Sequence, residues 1–340
     1  MEIQQLTDQN LDEWQDYVIS KQKTTFYHSI KWKRIIEKHY GFNSYFLIAK
    51  EDNKVRGILP LFLSKSTFLG KSLIPVPFST FGSVCADNEE IEKALIEKAK
   101  EIAKKENVNH LEFRLFEKIG DLPANAENYE FLLDINGSLD SLWNKSFKKE
   151  VRNSIMKAIK SNIRVEFDNK YLKEFYDVYA CNMRDIGGLV HSFSFFEDLF
   201  KTFETRLVVA FYGDKLIGGL IFFLFKNKAY NLFVSSLRKY FKFVPNYLLY
   251  WESIKYCYKN NYDVFSLGRS QLDSGTYKFK KQWVAIPRQI YHQYYLNKGI
   301  GIPTIASSKS KLSLAIEIYK KTPVFITKII GPILVKHITL

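Results

Sequence analysis

Residues 208–224 read VVAFYGDKLIGGLIFFL, and residues 47–63 read LIAKEDNKVRGILPLFL; the two stretches align without a gap. Each contains an apolar strand, a polar turn (YGDK or EDNK) and a second apolar strand, which is the pattern of a β-hairpin. The matching positions are Ala49 with Ala210, Lys54 with Lys215, Val55 with Leu216 and Gly57 with Gly218. The sequence therefore predicts the same hairpin twice.

Further matches flank the two hairpins in the same order. Before them, HSIKWKRIIEKHY (28–40) parallels HSFSFFEDLFKTF (191–203), and the serine in each is a predicted helix N-cap. After them, a predicted helix leads into a strand that carries an arginine, Arg114 in LEFRL and Arg269 in VFSLGR. Three matches in one order predict two copies of a helix–hairpin–helix–strand unit.

This repeat predicts an α/β (α+β) fold of two tandem domains, each with a mixed, mainly antiparallel sheet flanked by helices. We expect the first domain over 1–137, the second over 138–298 and a basic amphipathic helical tail over 299–340. The tail indicates two short helices with breaks at Pro323 and at Gly331-Pro332. Its second helix is apolar enough to dock on the body of the protein or to rest on a membrane surface.

Residues 138–162 connect the two copies and have the periodicity of an amphipathic helix that opens the second domain. Its predicted apolar stripe contains Leu142, Phe147, Val151, Ile155 and Ile159. The other faces carry Lys145, Lys148, Lys149, Arg152, Lys157 and Lys160. These basic residues are either a solvated face or, beside a cleft, counter-charges for phosphate groups.

Composition limits the classes of partner. The 340 residues include 50 Lys and Arg against 36 Asp and Glu, a net charge of +14, which favours polyanionic partners over a merely basic surface. Three distant cysteines indicate neither a disulfide framework nor a thiol zinc site, and we expect no metal. The polar N-terminus excludes a secretory signal, and the longest apolar runs are too short to span a bilayer. We expect a cytoplasmic protein.

The predicted order of hairpin, helix and strand resembles the GNAT acyltransferase core. Two such cores in tandem resemble the Fem family of peptidoglycan-bridge aminoacyltransferases over nearly the full chain, and most of all its exosortase-associated branch. The residues that carry this resemblance are FYDVYACNMRDIGG (175–188), NYLLYWESIKYCYKNNYDVFSLGRS (246–270), GTYKFKKQW (275–283) and KKTPVFITKIIGPILVKH (320–337). The resemblance implies two tandem GNAT-like domains.

Two motifs in the second half are the most specific. The family has a Phe-Lys pair after its last long strand, and Phe279-Lys280 occupies that place; the branch adds Gly-Arg-Ser followed by Gly-Thr-x-x-Phe-Lys-Lys-x-Trp. The chain departs from the branch at Ser266-Leu267-Gly268, where Asp-Phe-Gly is usual, and at Val284, where glycine is usual.

The resemblance implies a catalytic role for Lys280. When an amine attacks an ester or thioester, a tetrahedral oxyanion forms, and a lysine ammonium beside aromatic groups that exclude water stabilises it. Phe279 and Trp283 are those neighbours in the sequence. Lys278 shares a face with Lys280 if the segment is extended, and an exposed basic turn is the alternative for the whole segment.

Other candidate residues lie nearby in the second half. Arg269, with Ser270 beside it, is placed to bind a phosphate or carboxylate as a bidentate fork. The alternative for Arg269 is an ion pair with Asp273 or Asp185. Arg184 has the same two interpretations, and Asp273 is also a candidate acceptor for the proton of the attacking amine.

Candidates in the first half come from the resemblance alone. The short members of the family act on soluble, UDP-linked cell-wall precursors, and a basic residue near Trp32 would grip the nucleotide diphosphate. Lys33 and Arg34 are the two candidates.

The donor is inferred from a missing motif. GNAT enzymes that use acetyl-CoA carry a glycine-containing loop, R/Q-x-x-G-x-G/A, and neither half shows it after its hairpin. We therefore expect no bound cofactor and an aminoacyl-tRNA as donor, with acyl-CoA as the lesser candidate, a choice that also suits the net charge. The predicted acceptor is an amine of a phosphate-bearing cell-envelope precursor.

Three functions stay open from the sequence. The first is aminoacyl transfer to a peptidoglycan or exopolysaccharide precursor. The second is N-acylation of a polysaccharide sugar from acyl-CoA or an acyl carrier protein, and the third is a non-catalytic tandem-GNAT binding protein. We expect a monomer whose residues 320–340 are the candidate for peripheral contact with the inner face of the membrane.

Overall fold

A computed structural model describes residues 1–66, 70–298, 301–302 and 309–337. The chain forms two compact units. Unit 1 contains Met1–Asn128, Gln289–Ser307 and Leu334–Leu340, and unit 2 contains Tyr129–Arg288 and Ser308–Ile333. The division of the chain at 137/138 and 298/299 stays a proposal, because it rests on sequence repetition whereas the units are defined by contacts. Residues 299–300, 303–308 and 338–340 of the predicted tail lie outside the described residues.

Unit 1 is built around antiparallel hairpins and one long helix. Its strands are β1 (Glu2–Gln5), β2 (Asn43–Ser44), β3 (Leu47–Glu51), β4 (Lys54–Leu59), β5 (Phe62–Ser66), β6 (Gly70–Ile74), β7 (Cys85–Ala86), β8 (His110–Leu115), the first part of β9 (Ala124–Asp134) and most of β15 (Ile286–Leu296). Its helices are α1 (Leu11–Ser20), α2 (Ile30–Tyr40) and α3 (Glu89–Lys105). Four strands have the order β1-β3-β4-β7, and five have the order β15-β8-β6-β5-β2.

Unit 2 has one sheet between layers of helices. Its strands are the rest of β9, β10 (Ile163–Phe167), β11 (Thr205–Tyr212), β12 (Lys215–Phe225), β13 (Lys228–Ser236) and β14 (Val264–Gln271). Its helices are α4 (Leu139–Ser141), α5 (Lys149–Lys160), α6 (Leu172–Ile186), α7 (Phe193–Thr202), α8 (Pro245–Lys259), α9 (Gly275–Lys281), α10 (Lys309–Lys321) and most of α11 (Val324–Val335). The strand order is β10-β11-β12-β13-β14-β9.

The two predicted hairpins form, and they share an irregularity. In β3–β4, Ala49 pairs with Gly57 and the register then shifts by one residue; in β11–β12, Ala210 pairs with Gly218 and the register shifts at the same place. A bulge at an equivalent position of both hairpins is a shared backbone feature, since bulges re-aim a strand in a specific way. The hairpin prediction is confirmed in both units.

The helix starts and the parallel pairs also recur. Ser29 accepts a hydrogen bond from the Trp32 amide at the start of α2, and Ser192 accepts one from the Phe195 amide at the start of α7, so both predicted N-caps are confirmed. In unit 1, β6 and β8 pair in parallel across α3; in unit 2, β13 and β14 pair in parallel across α8. Each unit is therefore mainly antiparallel with one parallel crossover.

The predicted connector helix over 138–162 is only partly correct. A short helix at α4 and a π-type turn at 142–146 precede α5, and the chain is extended at Phe147. The break turns Phe147 into the core, where its ring contacts Trp251 and Trp283 at centroid distances of 5.6 and 5.3 Å. Ile159, predicted on the apolar stripe, is exposed, because Ala158 takes the buried position in the last turn of α5.

The tail forms two helices, α10 and α11, separated at Pro323 as predicted. The second predicted break is wrong, because Pro332 lies inside α11. A proline costs a helix one internal hydrogen bond, and here only the last turn follows it. Within the described part of the chain, no helix is long and apolar enough to cross a membrane.

Gly57 should tolerate no side chain. A Cβ at this bulge position would lie 2.7 Å from Ile91 and 2.9 Å from Leu95, both on the buried face of α3. We expect Gly57→Ala to lower the free energy of unfolding of unit 1 by about 1–3 kcal/mol through overpacking. Gly275→Ala is the control, since a Cβ there meets open space, and it should change stability little. Equal stability of both variants in urea would contradict this packing.

Candidate active site

The parallel ladder between β13 and β14 stops early. Only three residue pairs are formed, from Lys228 with Val264 to Tyr230 with Ser266. The pairing of β12 with β13 then shifts register at Asn231, so one extra residue of β13 bulges there. Within the described residues, the parallel register of these two strands does not continue beyond Tyr230 and Ser266.

The side chain of Asn231 holds the place where the ladder stops. Its amide nitrogen donates to the Tyr250 hydroxyl at 2.7 Å and to the Leu267 carbonyl at 3.3 Å. Its carbonyl oxygen is buried and has no hydrogen-bond partner among the described residues. Gly268 lies across from Asn231 with a φ of +79°. A Cβ on Gly268 would lie 3.2 Å from the backbone carbonyl oxygen of Asn231 and 3.6 Å from Lys280 Nζ. Glycine is therefore required by both conformation and space.

Lys280 enters this site from α9. Ser274 caps the helix by accepting from the Tyr277 amide, which sets the start of the short helix and places Lys280 in its last turn. Lys280 is 7% exposed, and its Nζ donates to the backbone carbonyl of Arg269 at 2.8 Å. Phe279 lies next to it in α9 and packs on Tyr247 at a ring distance of 4.9 Å.

Burial changes the charge state of Lys280. Removal of the ammonium from water lowers the pKa of Lys280 to about 7, the nearby carboxyl of Glu130 raises that pKa, and the Arg269 charge lowers it further. Near neutral pH the side chain is therefore divided between ammonium and amine. Such a group is both a hydrogen-bond donor and a proton carrier.

The sequence analysis missed Glu130. It lies in β9, is 1% exposed, and accepts a hydrogen bond from the Ser266 hydroxyl at 2.8 Å. Burial raises the pKa of Glu130 to about 7, although the hydrogen bond from Ser266 and the charges of Lys228, Arg288 and Lys280 act to lower it. Its second carboxyl oxygen has no partner within the described residues. The run NYEFLLD alternates polar and apolar residues, so Glu130 resembles an ordinary outward-facing strand residue, and no signal in the sequence contradicts that.

Several predicted residues do come together here. Lys280, Phe279 and Arg269 are in one place, together with Ser270 and Trp283. The Ser270 hydroxyl and the Trp283 indole nitrogen are buried, and neither has a hydrogen-bond partner in the part of the chain described. Glu130 and Asn231 each add a buried side-chain oxygen without a hydrogen-bond partner among the described residues, and buried polar groups are normally satisfied. Such a set is characteristic of a site that completes its hydrogen bonds on a bound molecule.

Lys278 and Asp273 are not part of this cluster. The segment 275–281 is helical, so Lys278 and Lys280 point to different faces, and Lys278 is exposed. Asp273 is exposed in the turn before α9, at a φ of +59°. The buried carboxyl whose charge acts on Lys280 is Glu130.

Arg184 and Arg152 make structural contacts. Arg184 pairs with Asp185 at 2.7 Å and donates to the Thr322 carbonyl at 3.2 Å, which ties the end of α6 to the tail. Arg152 donates to the carbonyls of Trp143 and Asn144 at 3.0 and 2.8 Å and so fastens the turn before α5. These contacts favour the ion-pair interpretation of Arg184. For Arg152 they favour a structural role that links α5 to the turn before it.

Lys33 and Arg34 lie in unit 1. Lys33 Nζ contacts both carboxylate oxygens of Glu37, at 2.8 and 2.9 Å, and borders an open cavity beside α2. Arg34 is exposed. The cavity is lined by Gln5, Leu6, Lys33, Glu37, Gly41, Phe42, Asn43, Ser44 and Phe46. An anion at Lys33 would have to compete with Glu37.

In unit 1, the strand equivalent to β14 is β8, and its arginine lies in a buried ion-pair network. Arg114 in β8 is fully buried, contacts Glu112 at 2.8 Å and donates to the Ser79 carbonyl at 2.9 Å. His292 contacts the same carboxylate at 2.8 Å. Burial acts to raise the pKa of Glu112, but the Arg114 charge and the contact with His292 outweigh it and hold that pKa well below its ordinary value. This compensated network has the form of a structural core rather than of a reactive site.

One family model matches part of unit 2. Residues 145–281 match the family described as acetyltransferase (GNAT) domain. That range contains Lys280 and the whole β11–β14 sheet. A search of curated proteins finds no match to the sequence.

Solved structures resemble the chain at low identity. FemX is 17% identical, with a TM-score of 0.65 over 88% of this chain and 98% of FemX. L-PGS from Bacillus licheniformis is 13% identical, with a TM-score of 0.55 over 86% and 97%. A tandem GNAT protein from the clavulanic acid biosynthesis pathway is 11% identical, with a TM-score of 0.55 over 86% and 97%. The predicted fold class is thereby confirmed: a mixed α/β tandem GNAT fold with C-terminal helices.

The buried Lys280 should lower the free energy of unfolding near neutral pH. Its pKa is about 7 in the folded chain and 10.5 ordinarily, so the unfolded chain binds more protons between these values and stability rises with pH across that window. We expect Lys280→Met to raise the free energy of unfolding by about 1–3 kcal/mol at pH 7, less as the pH approaches 10.5. Thermal unfolding across this pH range measures it, with exposed Lys278→Met as the control. A lysine that is stabilising at pH 7 would contradict the assigned burial cost.

Proposed function

We propose that the protein is an acyltransferase that moves an aminoacyl group from an ester donor to an amine of a phosphate-bearing cell-envelope precursor. The observation that carries this proposal is Lys280, a buried lysine that titrates near neutral pH where a parallel ladder stops among unsatisfied buried polar groups. The GNAT match over 145–281 supports acyl transfer as the reaction class.

The reaction uses the lysine as a donor. The neutral amine of the acceptor attacks the ester carbonyl, a carbon–nitrogen bond forms, and the carbonyl oxygen becomes an oxyanion. The Lys280 ammonium donates a hydrogen bond to that oxyanion in a site where water is largely excluded, so the electrostatic gain is large. The carbonyl then re-forms as the carbon–oxygen bond to the donor breaks, and the extra proton of the nitrogen passes to the leaving oxygen, so that the donor leaves as an alcohol.

Glu130 is proposed to maintain the charge of Lys280. Its carboxylate raises the pKa of the lysine, and its hydrogen bond to Ser266 fixes it in place. Ser266 stands where the resembled branch usually has aspartate, so Glu130 brings a carboxylate to a position where the chain itself has only a hydroxyl. Glu130 is thus a positioning residue that acts through Lys280. We propose it, in place of the exposed Asp273, as the carboxyl that matters for the reaction.

The aminoacyl donor and the envelope acceptor are the finer part of the proposal. The likeness to FemX and to L-PGS, together with the net charge of +14, supports a charged tRNA as donor. The segment that enters α8, SLRKYFKFV (236–244), contains no glycine, unlike the loop with which acetyl-CoA enzymes hold pyrophosphate.

One observation favours a second candidate. Arg238, Lys239 and Lys242 lie just before the N-terminus of the 15-residue helix α8, a place that suits phosphate groups. An N-acyltransferase that takes its acyl group from acyl-CoA or an acyl carrier protein would use them. Salt separates the two donors, because tRNA binding should fall steeply with salt and acyl-CoA binding only slightly.

Lys280→Ala should abolish transfer. Incubation with aminoacyl-tRNA, acyl-CoA and UDP-linked amine acceptors, followed by mass spectrometry, identifies the reaction and gives the wild-type rate. Loss of the oxyanion donor should lower kcat by roughly 10²–10³-fold. Lys278→Ala and Asp273→Asn, both exposed, are matched controls and should keep rates within a few-fold of wild type.

Two results would contradict the proposal. One is a Lys280→Ala enzyme that is as active as wild type, which would remove the oxyanion role. The other is a wild-type protein that gives no mass shift with any donor and acceptor pair, which would favour the non-catalytic binding function.

Glu130→Gln should shift the pH dependence of kcat to lower pH. The carboxylate raises the pKa of Lys280, so its removal lowers that pKa below about 7 and the ammonium is lost at a lower pH. We expect the alkaline limb of the kcat profile to shift to lower pH, while the KM for donor changes little. An unchanged limb would show that Glu130 has no electrostatic role at Lys280.

A further inference from the structure

The tail helices expose an unusual apolar face. Five large apolar side chains on α10 and α11 are between 56% and 67% exposed. They are Leu314, Ile318, Phe325, Ile329 and Ile333. Within each helix they recur every four residues, so each set forms one stripe. An exposed apolar stripe of this kind marks an interaction surface rather than scattered surface residues.

The opposite faces of both helices are fixed to unit 2. In α10, Ile316 and Lys320 lie against Gly187 at the end of α6. In α11, Lys328 contacts Asp177 of α6, and a Cβ on Gly331 would lie 2.7 Å from the Val190 carbonyl. Because α10 and α11 both pack on α6 and the segment that follows it, their exposed stripes both face away from it. The stripes therefore belong to one surface, which we call the tail face.

The segment that carries the tail face has a basic sequence. Residues 309–337 contain six lysines and one carboxylate, Glu317, which gives +5. Glu317 pairs with Lys320 at 2.7 Å, and Lys321 at the end of α10 is exposed. An apolar stripe on a segment of net positive charge matches an anionic lipid surface, in which acyl chains receive the apolar side chains and headgroups attract the positive charge.

We propose that the tail face binds the surface of an anionic lipid bilayer. The 12 residues of α11 extend about 18 Å, well short of the roughly 30 Å of a hydrocarbon core, so the helix lies along the surface. A second copy of the chain fits less well, because two segments 309–337, each with a net sequence charge of +5, would then lie together. Anionic lipid instead neutralises that charge. The proposal is independent of the acyl-transfer chemistry, since none of its residues belongs to the site at Lys280.

The test is cosedimentation of the full chain with vesicles. Binding is expected to phosphatidylcholine vesicles that contain phosphatidylglycerol, to be about tenfold or more weaker to pure phosphatidylcholine, and to weaken with salt. Ile329→Glu should lower the partition coefficient by about tenfold or more, because it replaces an apolar side chain that would be buried in the lipid by a negative charge that anionic lipid repels. Ile286→Glu, with 67% exposure against 64%, is the matched control outside the tail and should bind like wild type.

Hydrogen exchange adds a readout that does not depend on the variants. Amides of 324–335 should gain protection when anionic vesicles are added. The proposal is overturned if the wild-type chain fails to bind anionic vesicles, or if Ile329→Glu binds as well as Ile286→Glu. It is also overturned if ultracentrifugation shows a dimer that Ile329→Glu dissociates, because a second copy would then cover the face. No donor or acceptor is present in these measurements, so their failure leaves the proposed reaction untouched.

Discussion

The burial of one amine at the end of a broken β-ladder is the constraint on which unit 2 depends. Lys280 reaches the Arg269 carbonyl only because Gly268 leaves room beside it and because Ser274 starts α9 at the right residue. Aromatic rings around it remove water and thereby lower its pKa to about 7. A buried charge of this kind is expensive for folding, and proteins commonly accept such a cost at functional sites.

The duplicated scaffold shows how one backbone serves two purposes. Both units contain a hairpin with the same bulge and a parallel crossover through a long helix. In unit 1 the buried Arg114 and Glu112 neutralise each other and bind nearby carbonyls. In unit 2 the buried Glu130 and Ser270 keep hydrogen-bonding atoms without partners among the described residues. The two units therefore use one architecture for different buried charges: an ion-paired arginine in unit 1 and a lysine on a backbone carbonyl in unit 2.

The tail helices have one face that packs on unit 2 and one apolar face that is exposed. The same sequence pattern that predicted two short helices left their partner open, since an apolar helix face packs equally well on protein or on lipid. The structure uses the small residue Gly331 and the ion pair of Lys328 with Asp177 to dock one face on unit 2. What stays exposed is a second apolar face, which local hydrophobicity could not distinguish from the first because α11 is apolar nearly all round.

The sequence by itself determined the repeat, the hairpins, the N-caps at Ser29 and Ser192, and Lys280 as the residue of interest, because these depend on local pattern and motif. Tertiary structure alone decided that Glu130 is buried and acts electrostatically on Lys280, that Lys278 is exposed, and that Phe147 interrupts the connector helix. Each of these depends on which side chains meet across elements far apart in the chain. Periodicity specifies which face of an element is apolar; only packing specifies what that face meets, and hence which charges lose water.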